Sequence, residues 1–130
     1  MSNKTLLLVA LALAFLLTSG CTSRQVKLTS ADNGKSVKVK VGDPIVIELD
    51  GNPSTGYTWE AKDLDASMIQ QVGDPEFKSS NPGLIGSGGA LTMTFKILKT
   101  GKTILTLLYQ RPWEKGVKPQ STFTVSVEAK

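Results

Sequence analysis

Histidine is absent from this chain of 130 residues. Its absence removes the usual general base, the Ser-His and Cys-His pairs of nucleophilic enzymes, and the commonest metal ligand. The sequence also contains no calcium-binding loop of alternating acidic residues around a central glycine. We therefore expect a protein that is not an enzyme, has no catalytic residue, and needs no metal and no cofactor.

Cysteine and arginine are also scarce. The one cysteine, Cys21, cannot form a disulfide within the chain, so the fold must rest on its apolar core. The two arginines, Arg24 and Arg111, are too few for a nucleic-acid site, which usually combines clustered arginines with stacking aromatic residues. The formal net charge falls from +4 to +3 without residues 1–20, whose one charged side chain is Lys4. This mild surplus predicts no nucleic-acid partner.

Eleven acidic residues remain, and a pair of carboxylates can by itself serve a glycosidase. Asp63 and Asp65 are spaced to share one face of an extended segment, but no aromatic residue that could stack on a sugar ring accompanies them. Nothing near them in the sequence would raise the pKa of one carboxyl group above that of the other. We interpret both as solvated surface, which makes a carboxylate-dependent hydrolase the weakest functional hypothesis.

The start of the chain has the layout of an export signal. Lys4 is followed by the apolar stretch Leu6 to Leu17 and then by small or polar residues up to Cys21. This apolar run of about a dozen residues is short for a spanning helix, which needs roughly 20. We expect residues 1–20 to be a signal peptide and the protein to be exported.

Cys21 directly follows Gly20, which resembles the processing site of bacterial lipoproteins, where the cysteine is lipidated and becomes the new N-terminus. Thr18 departs from that pattern, which usually has leucine there. Cleavage by the ordinary signal peptidase is the alternative, and it would leave a secreted protein with a free thiol. We favour lipidation because an exposed thiol is a liability in an oxidising compartment. The expected product is a periplasmic or cell-envelope lipoprotein with a tether over residues 21–25.

From residue 26 onward, apolar residues recur at every second position, the period that places them on one face of a strand. Helical spacing is absent except for one turn around Asp65 to Gln70, so helices are not available to cover a sheet. The pattern predicts one all-β domain over residues 26–130, an immunoglobulin-like antiparallel β-sandwich of seven to eight strands. The clearest segments are residues 37–41, 45–49, 91–97, 105–109 and 123–127, and residues 57–61 and 69–77 supply two weaker strands.

The first irregular segment between strands is Asn52-Pro53-Ser54-Thr55-Gly56-Tyr57-Thr58-Trp59. Pro53 fixes one φ angle and disfavours helical geometry at the residue before it, while Gly56 permits a positive φ. The hydroxyl side chains between them can bond back to the loop's own backbone. These features predict a stiff, slim tip, although an ordinary turn has the same signature. We predict that Trp59, at the start of a strand, is buried.

Two further segments contain the residue types of binding loops. Ser79-Ser80-Asn81-Pro82-Gly83-Leu84-Ile85-Gly86-Ser87-Gly88-Gly89 is rich in glycine, which would leave backbone groups uncovered for an added strand, unless the run is a flexible connector. Arg111-Pro112-Trp113-Glu114 offers an arginine and an aromatic residue, types that often dominate interface energies. We expect Trp113 to be exposed in this polar loop.

Together, in this order and at these distances, the three segments resemble the chagasin family of cysteine peptidase inhibitors. The resemblance covers about residues 26–130. The family's three motifs match Asn52-Pro53-Ser54-Thr55-Gly56-Tyr57 followed by Trp59, then Gly86-Ser87-Gly88-Gly89, then Arg111-Pro112-Trp113-Glu114.

This resemblance implies an immunoglobulin-like sandwich with three binding loops at one end. It implies reversible, non-covalent inhibition of a papain-like cysteine peptidase, which would be the partner of a monomeric inhibitor. Residues 54–56 would enter the active-site cleft over the catalytic cysteine. Residues 86–89 would lie against the unprimed subsites, with Arg111 and Trp113 on the primed side. The alternative is a cell-envelope adhesion module with the same fold and another ligand.

Overall fold

The computed structural model describes residue 20 and residues 24–130, so the predicted signal peptide and Cys21 lie outside the described residues. Nine strands make up the fold of the described part: β1 (Val26–Thr29), β2 (Ser36–Val39), β3 (Pro44–Gly51), β4 (Thr58–Lys62), β5 (Ile69–Gln71), β6 (Glu76–Ser79), β7 (Gly89–Ile97), β8 (Gly101–Gln110) and β9 (Ser121–Ala129). Two single 3-10 turns, Ser30–Asp32 and Pro53–Thr55, accompany them. Over these residues no helix has the length and apolarity needed to span a membrane.

The strands form two sheets packed face to face, which confirms the predicted all-β sandwich. One sheet has the order β1-β3-β7-β5, with β6 also paired to β7, and the other has the order β2-β9-β8-β4. The prediction that the sheets are antiparallel is wrong at two edges, because β1 pairs with β3 and β2 pairs with β9 in parallel. Between β1 and β3 the chain crosses to the other sheet and forms β2 there. It then returns to the first sheet, so β3 runs in the same direction as β1.

The core lies between the sheets and comes from the inward side of each alternating strand. Ile45, Ile47 and Leu49 on β3 face inward, while the residues between them are only half-buried. The other buried apolar residues are Leu28, Val39, Trp59, Met68, Ile69, Leu91, Met93, Phe95, Ile97, Leu105, Leu107, Phe123, Val125, Val127 and Ala129. Because burial of apolar area is the main driving force of folding, this core accounts for a stable domain without a disulfide.

Two segments differ from the predicted strands. The single strand expected over residues 69–77 is divided into β5 and β6, because Gly73 adopts a φ of 70° and Pro75 follows it. Strand β1 was not among the clear segments, since its alternation includes only Val26 and Leu28. The turn predicted around Asp65 to Gln70 is present as a hydrogen bond of 3.0 Å from the Ile69 N–H to the Asp65 carbonyl oxygen.

Strand direction divides the sandwich into two ends. Strand β3 runs from Pro44 toward Gly51, which is paired with Gly89 at the start of β7. Gln110 at the end of β8 is paired with Thr58 at the start of β4. The three predicted loops therefore emerge at one end, which we call the loop end. Arg24, the turn between β2 and β3, and Lys130 lie at the opposite end.

Candidate functional site

The first loop is a hydrogen-bonded 3-10 turn over Pro53–Thr55. Asn52 caps it, because its side-chain oxygen accepts the Ser54 N–H at 3.2 Å and the Ser54 hydroxyl. The Thr55 hydroxyl donates to the Asn52 carbonyl at 2.6 Å. Gly56 ends the turn with a φ of 82°, a left-handed conformation that glycine adopts without steric cost. The stiff tip predicted from the sequence therefore has a defined geometry.

The first and second loops are joined by the side chain of Asn52. Its amide nitrogen Nδ2 donates a hydrogen bond of 3.0 Å to the Gly86 carbonyl oxygen. Gly86 itself has a φ of 79°, and a Cβ atom added to it would lie 3.8 Å from the Ser54 hydroxyl oxygen. The side-chain oxygen of Asn52 therefore stabilises the first loop, and its side-chain nitrogen binds the second loop next to it.

The first and third loops are joined by an arginine and a tryptophan. Arg111 donates from Nε to the Thr55 carbonyl oxygen at 3.0 Å and from its terminal nitrogen to the Glu114 carboxylate at 3.0 Å. The Trp113 ring lies directly over Gly56, so that a Cβ atom built on this glycine would overlap the ring. Gly56 therefore has two roles, since it ends the turn and leaves room for the indole.

A stack of rings connects the loops to the core. The Arg111 guanidinium lies 4.6 Å from the centroid of the Tyr57 ring, an attractive cation–π arrangement. Tyr57 lies 5.3 Å from Tyr109, and Tyr109 lies 5.1 Å from Trp59, measured between ring centroids. The Tyr109 hydroxyl accepts the Asn52 N–H at 2.8 Å. The edge of three loops is therefore fixed to the sandwich at several points.

Trp59 forms the buried base of this stack. Only 7% of its surface is exposed, and its indole N–H donates to the Asp50 carbonyl oxygen at 2.9 Å. The hydrogen bond satisfies the polar atom of an otherwise apolar side chain, as burial of a tryptophan requires. Trp113, in contrast, has 65% of its surface exposed. Both predictions about the tryptophans are confirmed.

The glycines of the second loop are less open than the sequence predicted. Gly89 lies inside the sheet, paired with Gly51 on one side and Ser79 on the other. The Gly88 carbonyl oxygen accepts two hydrogen bonds from Ser80, at 3.1 Å from the backbone N–H and at 2.7 Å from the hydroxyl. The expectation of an uncovered backbone is therefore wrong at these two glycines, because β6 already supplies the added strand.

Two apolar side chains at the tip of the second loop were not among the predicted site residues. Ile85 is fully exposed and Leu84 is 60% exposed, although each is large enough to fill a pocket. The signal was available in the sequence, since both stand between Gly83 and Gly86 outside any alternating strand. Large exposed apolar side chains at the tip of a loop are candidates for contact with a partner.

The carboxylates considered above as a catalytic pair follow the far end of β4 and do not belong to this edge. Asp65, one of the carboxylates considered above, lies at the opposite end, and hydrogen bonds from the Ser67 hydroxyl and N–H lower its pKa. A lowered pKa keeps the carboxylate ionised, which is the wrong state for a general acid near neutral pH. Among the described residues there is also no group of three side chains able to hold a metal ion.

Comparison with known proteins agrees with this geometry. Residues 38–127 match the family described as "Chagasin family peptidase inhibitor I42". Amoebiasin-2 from Entamoeba histolytica is 35% identical over 112 residues, covering 82% of this chain and 89% of that protein. Chagasin from Trypanosoma cruzi is 30% identical over 107 residues, covering 79% of this chain and 96% of that protein.

The chain belongs to the chagasin family of peptidase inhibitors.

The solved structure of EhICP2, a cysteine protease inhibitor from Entamoeba histolytica, is similar in fold as well as in sequence. It superposes with a TM-score of 0.72 at 31% identity, covering 82% of this chain and 96% of EhICP2. Membership of the chagasin family makes this chain an inhibitor and not an enzyme, as the missing histidine predicted. The resemblance drawn from the three motifs is confirmed.

Within this chagasin-family fold, the predicted site residues meet on one edge. Residues 52–57 supply its centre, residues 86–88 its flank on one side, and residues 111–114 its flank on the other. Gly89 is the exception, since it belongs to the sheet beneath. Pro112 is exposed, whereas Glu114 is half-buried and paired with Arg111. Sequence spacing alone did not reveal that Arg111 and Asn52 hold the loops to one another.

Proposed function

We propose that this chain inhibits papain-like cysteine peptidases reversibly and non-covalently, by filling the active-site cleft with the edge formed by its three loops. The observation that carries the proposal is the mutual attachment of the loops. Asn52 bonds to Gly86, Arg111 bonds to Thr55, and Trp113 packs on Gly56. One rigid edge results from three segments that are distant in sequence.

Rigidity matters because each side chain immobilised on binding costs about 0.5–1.5 kcal/mol. In this structure the costs are largely met during folding, since the turn at Pro53–Thr55 is capped at both ends and held from either side. The edge can then dock with little change of shape, which favours tight binding. Ser54 and Thr55 are exposed at the tip, and their small side chains make a wedge slim enough for a narrow cleft.

The same geometry explains how the inhibitor would avoid being cut. The carbonyl oxygens of Asn52, Pro53 and Thr55 already accept hydrogen bonds within the protein, from the Thr55 N–H, the Gly56 N–H and Arg111 respectively. A peptide bond is attacked when its carbonyl is presented to the nucleophile in an extended segment, and a 3-10 turn followed by a left-handed glycine is not extended. Inhibition is then blockage of the cleft, without an acyl-enzyme.

The roles of the flanking loops follow from what they expose. The second loop offers Ile85 and Leu84, apolar side chains suited to a pocket beside the nucleophile, and the third loop offers Trp113. Fully exposed apolar side chains gain the most from burial in a partner, at about 25 cal/mol per Å² of apolar surface. We assign the second loop to the unprimed side of the cleft and the third loop to the primed side.

Titration of papain with the purified domain tests the proposal. We expect residual activity to fall with added inhibitor, and we expect the inhibitor to keep its intact mass after prolonged incubation. Undiminished activity at a several-fold molar excess of folded inhibitor would refute the proposed function. A loss of mass consistent with cleavage between Asn52 and Tyr57 would refute the non-covalent mechanism while leaving the target class in place.

We further propose that the chain is exported and held at a membrane by a lipid on Cys21, which makes it a periplasmic or cell-envelope lipoprotein. The order of Lys4, an apolar run, Gly20 and Cys21 in the sequence supports this localisation. Mass spectrometry of the mature protein tests it. An acylated cysteine at the N-terminus is expected, and an unmodified product released from the cells would overturn the anchor. Replacing Cys21 with alanine should then release the protein.

A further inference from the structure

The end of the sandwich opposite the binding loops contains a groove of about 590 Å³ between the edges of the two sheets. Its apolar side is made by Val26 on β1 and by Val37 and Val39 on β2. Around these valines stand five basic residues, which we call the basic rim: Arg24, Lys27, Lys38, Lys40 and Lys130. An apolar floor with a cationic rim is distinct in chemistry from the uncharged tip of the binding edge.

Part of the rim charge is not neutralised. Within residues 24–130, Lys27 is the one rim cation that forms an ion pair, at 3.1 Å to Glu48. Asp43 also faces the groove, but it is buried and its carboxylate accepts the Lys40 N–H at 3.1 Å. Five cations against Asp43, Glu48 and Glu128, which lies opposite Lys38 on β9, leave a surplus of two positive charges at the groove. The groove therefore has a net positive charge.

Two exposed apolar side chains stand on the same end. Val41 is 43% exposed on the turn between β2 and β3, and Leu98 is 40% exposed just after β7. A hydrogen bond of 3.0 Å from the Gly42 N–H to the Ile97 carbonyl oxygen joins the two turns, and one of 3.1 Å from the Val41 N–H to the Lys130 carbonyl oxygen joins the first turn to β9. Exposed apolar side chains among lysines are typical of protein surfaces that bind in the headgroup region of a bilayer.

We propose that the basic rim, with Val41 and Leu98, docks this end of the protein against the anionic surface of a lipid bilayer. Lysine-rich segments near a membrane attract acidic headgroups, and each basic residue strengthens attachment about fivefold. A nucleic-acid surface would instead need stacking aromatic residues, and the groove contains none. The valine floor suits the apolar part of a lipid better than it suits a soluble anion.

The place of Cys21 in the sequence supports a lipid partner. Arg24 belongs to the basic rim, and Cys21, the proposed lipid attachment point, precedes it by three residues. Three residues reach at most about 10 Å, which is close to the Debye length of about 8 Å at physiological ionic strength. The rim would therefore lie within the field of the membrane surface, with the binding edge directed away from it.

Vesicle binding of a protein comprising residues 22–130 tests the proposal without a lipid anchor. All buried core residues of the described chain lie between Leu28 and Ala129, so this protein keeps both sheets and the complete core. The probes are vesicles of phosphatidylcholine alone and vesicles of equal parts phosphatidylcholine and phosphatidylglycerol. We expect binding to the anionic vesicles, weakened by added salt, and no measurable binding to the neutral ones.

Two triple variants that lower the net charge equally distinguish binding through the basic rim from an effect of the protein's overall charge. In the first, Lys38, Lys40 and Lys130 are replaced by glutamine. In the matched control, Lys78, Lys115 and Lys118, exposed lysines of the loop half, are replaced by glutamine. The rim variant should lose at least about tenfold in binding to anionic vesicles, and the control should keep most of it.

Three results would overturn the proposal: no binding to anionic vesicles, equal losses in the two triple variants, or equally tight binding to polyglutamate, which would assign the rim to an acidic polypeptide. The rim lies outside the binding edge, so the rim variant should inhibit papain as the parent protein does. Failure of vesicle binding would therefore leave the proposed inhibition intact. Failure of inhibition would likewise leave the membrane proposal standing.

Discussion

The two tryptophans of this chain belong to the same site and do opposite things. Trp59 lies at the start of β4 with 7% of its surface exposed, and its indole N–H is satisfied by the Asp50 carbonyl oxygen. Trp113 lies on the third loop with 65% exposed, and its ring rests on Gly56. The first tryptophan holds the binding edge to the core, whereas the second is part of the edge itself.

The comparison predicts that only a few side chains separate the residues that stabilise the fold from those that bind the peptidase. Tyr109 contacts Trp59 through its ring and the first loop through its hydroxyl, so it stands at the boundary. Substitutions on the core side of Tyr109 should lower the free energy of unfolding, and substitutions on the outer side should weaken inhibition of the peptidase. Substitutions on each side test whether this boundary is real.

The largest effect is expected for Trp59→Ala. Removal of a buried indole leaves a cavity and an unpaired carbonyl, so the free energy of unfolding should fall by about 3–5 kcal/mol. Denaturant unfolding measures this loss, with Trp113→Ala as the matched control. A change in stability of less than 1 kcal/mol, about the loss of a single hydrogen bond, would mean that Trp59 does not anchor the loop.

Trp113→Ala should have the largest effect on binding. An exposed aromatic residue that becomes buried in an interface is often worth about 2 kcal/mol or more, which corresponds to roughly thirtyfold in the inhibition constant for papain. The free energy of unfolding should change by no more than about 0.5 kcal/mol, as for other exposed positions. If this variant unfolds while Trp59→Ala does not, the two roles have been assigned in reverse.

Gly56→Ala should affect both properties. A side chain in the left-handed conformation costs about 1–2 kcal/mol, and the added Cβ atom also displaces the Trp113 ring. Gly34 provides a matched control, because it has a φ of 80° but open space around it, so Gly34→Ala should impose the strain alone. We expect weaker inhibition of papain from Gly56→Ala and not from Gly34→Ala. In a Trp113→Ala background this difference should shrink, as measured by a double-mutant cycle.

The smallest effect is expected for Tyr109→Phe. The ring contacts with Tyr57 and Trp59 remain, while the Asn52 N–H loses its acceptor, which should cost about 0.5–1.5 kcal/mol in unfolding. Inhibition should weaken modestly because the first loop becomes less rigid. A loss comparable to that of Trp59→Ala, seen in the same denaturant titration, would place Tyr109 within the core and remove the boundary.

Much of the fold was predictable because its strands alternate cleanly. In residues 45–49 and 91–97 every second residue is apolar and buried in the core, and the pattern was sufficient to predict two packed sheets. Strand β1 was harder to predict, since a short edge strand requires only Val26 and Leu28 to be apolar. Parallel pairing at the edges depends on how the chain crosses between sheets, which side-chain periodicity does not encode.

The site was predictable in its residues but not in its bonds. Motif order located the three loops, and the neighbouring sequence, a strand start for Trp59 and a polar loop for Trp113, distinguished the buried tryptophan from the exposed one. The hydrogen bond from Arg111 to Thr55 joins residues 56 positions apart, so it exists only once β4 and β8 have paired. The pairing of Gly89 within the sheet was missed for a similar reason, because it can be predicted only after β6 is recognised as a separate strand.

The bond between Asn52 and Gly86 also bears on protein engineering. Any one loop moved alone to another scaffold would leave behind the partners that position it, so a grafted copy of residues 52–57 would keep its own turn bonds but lose those to Gly86 and Arg111. The smallest portable unit contains all three loops together with Tyr109, whose hydroxyl fixes the first of them. A designer who wants a new specificity should therefore keep this frame and vary the exposed tips, beginning with Ile85.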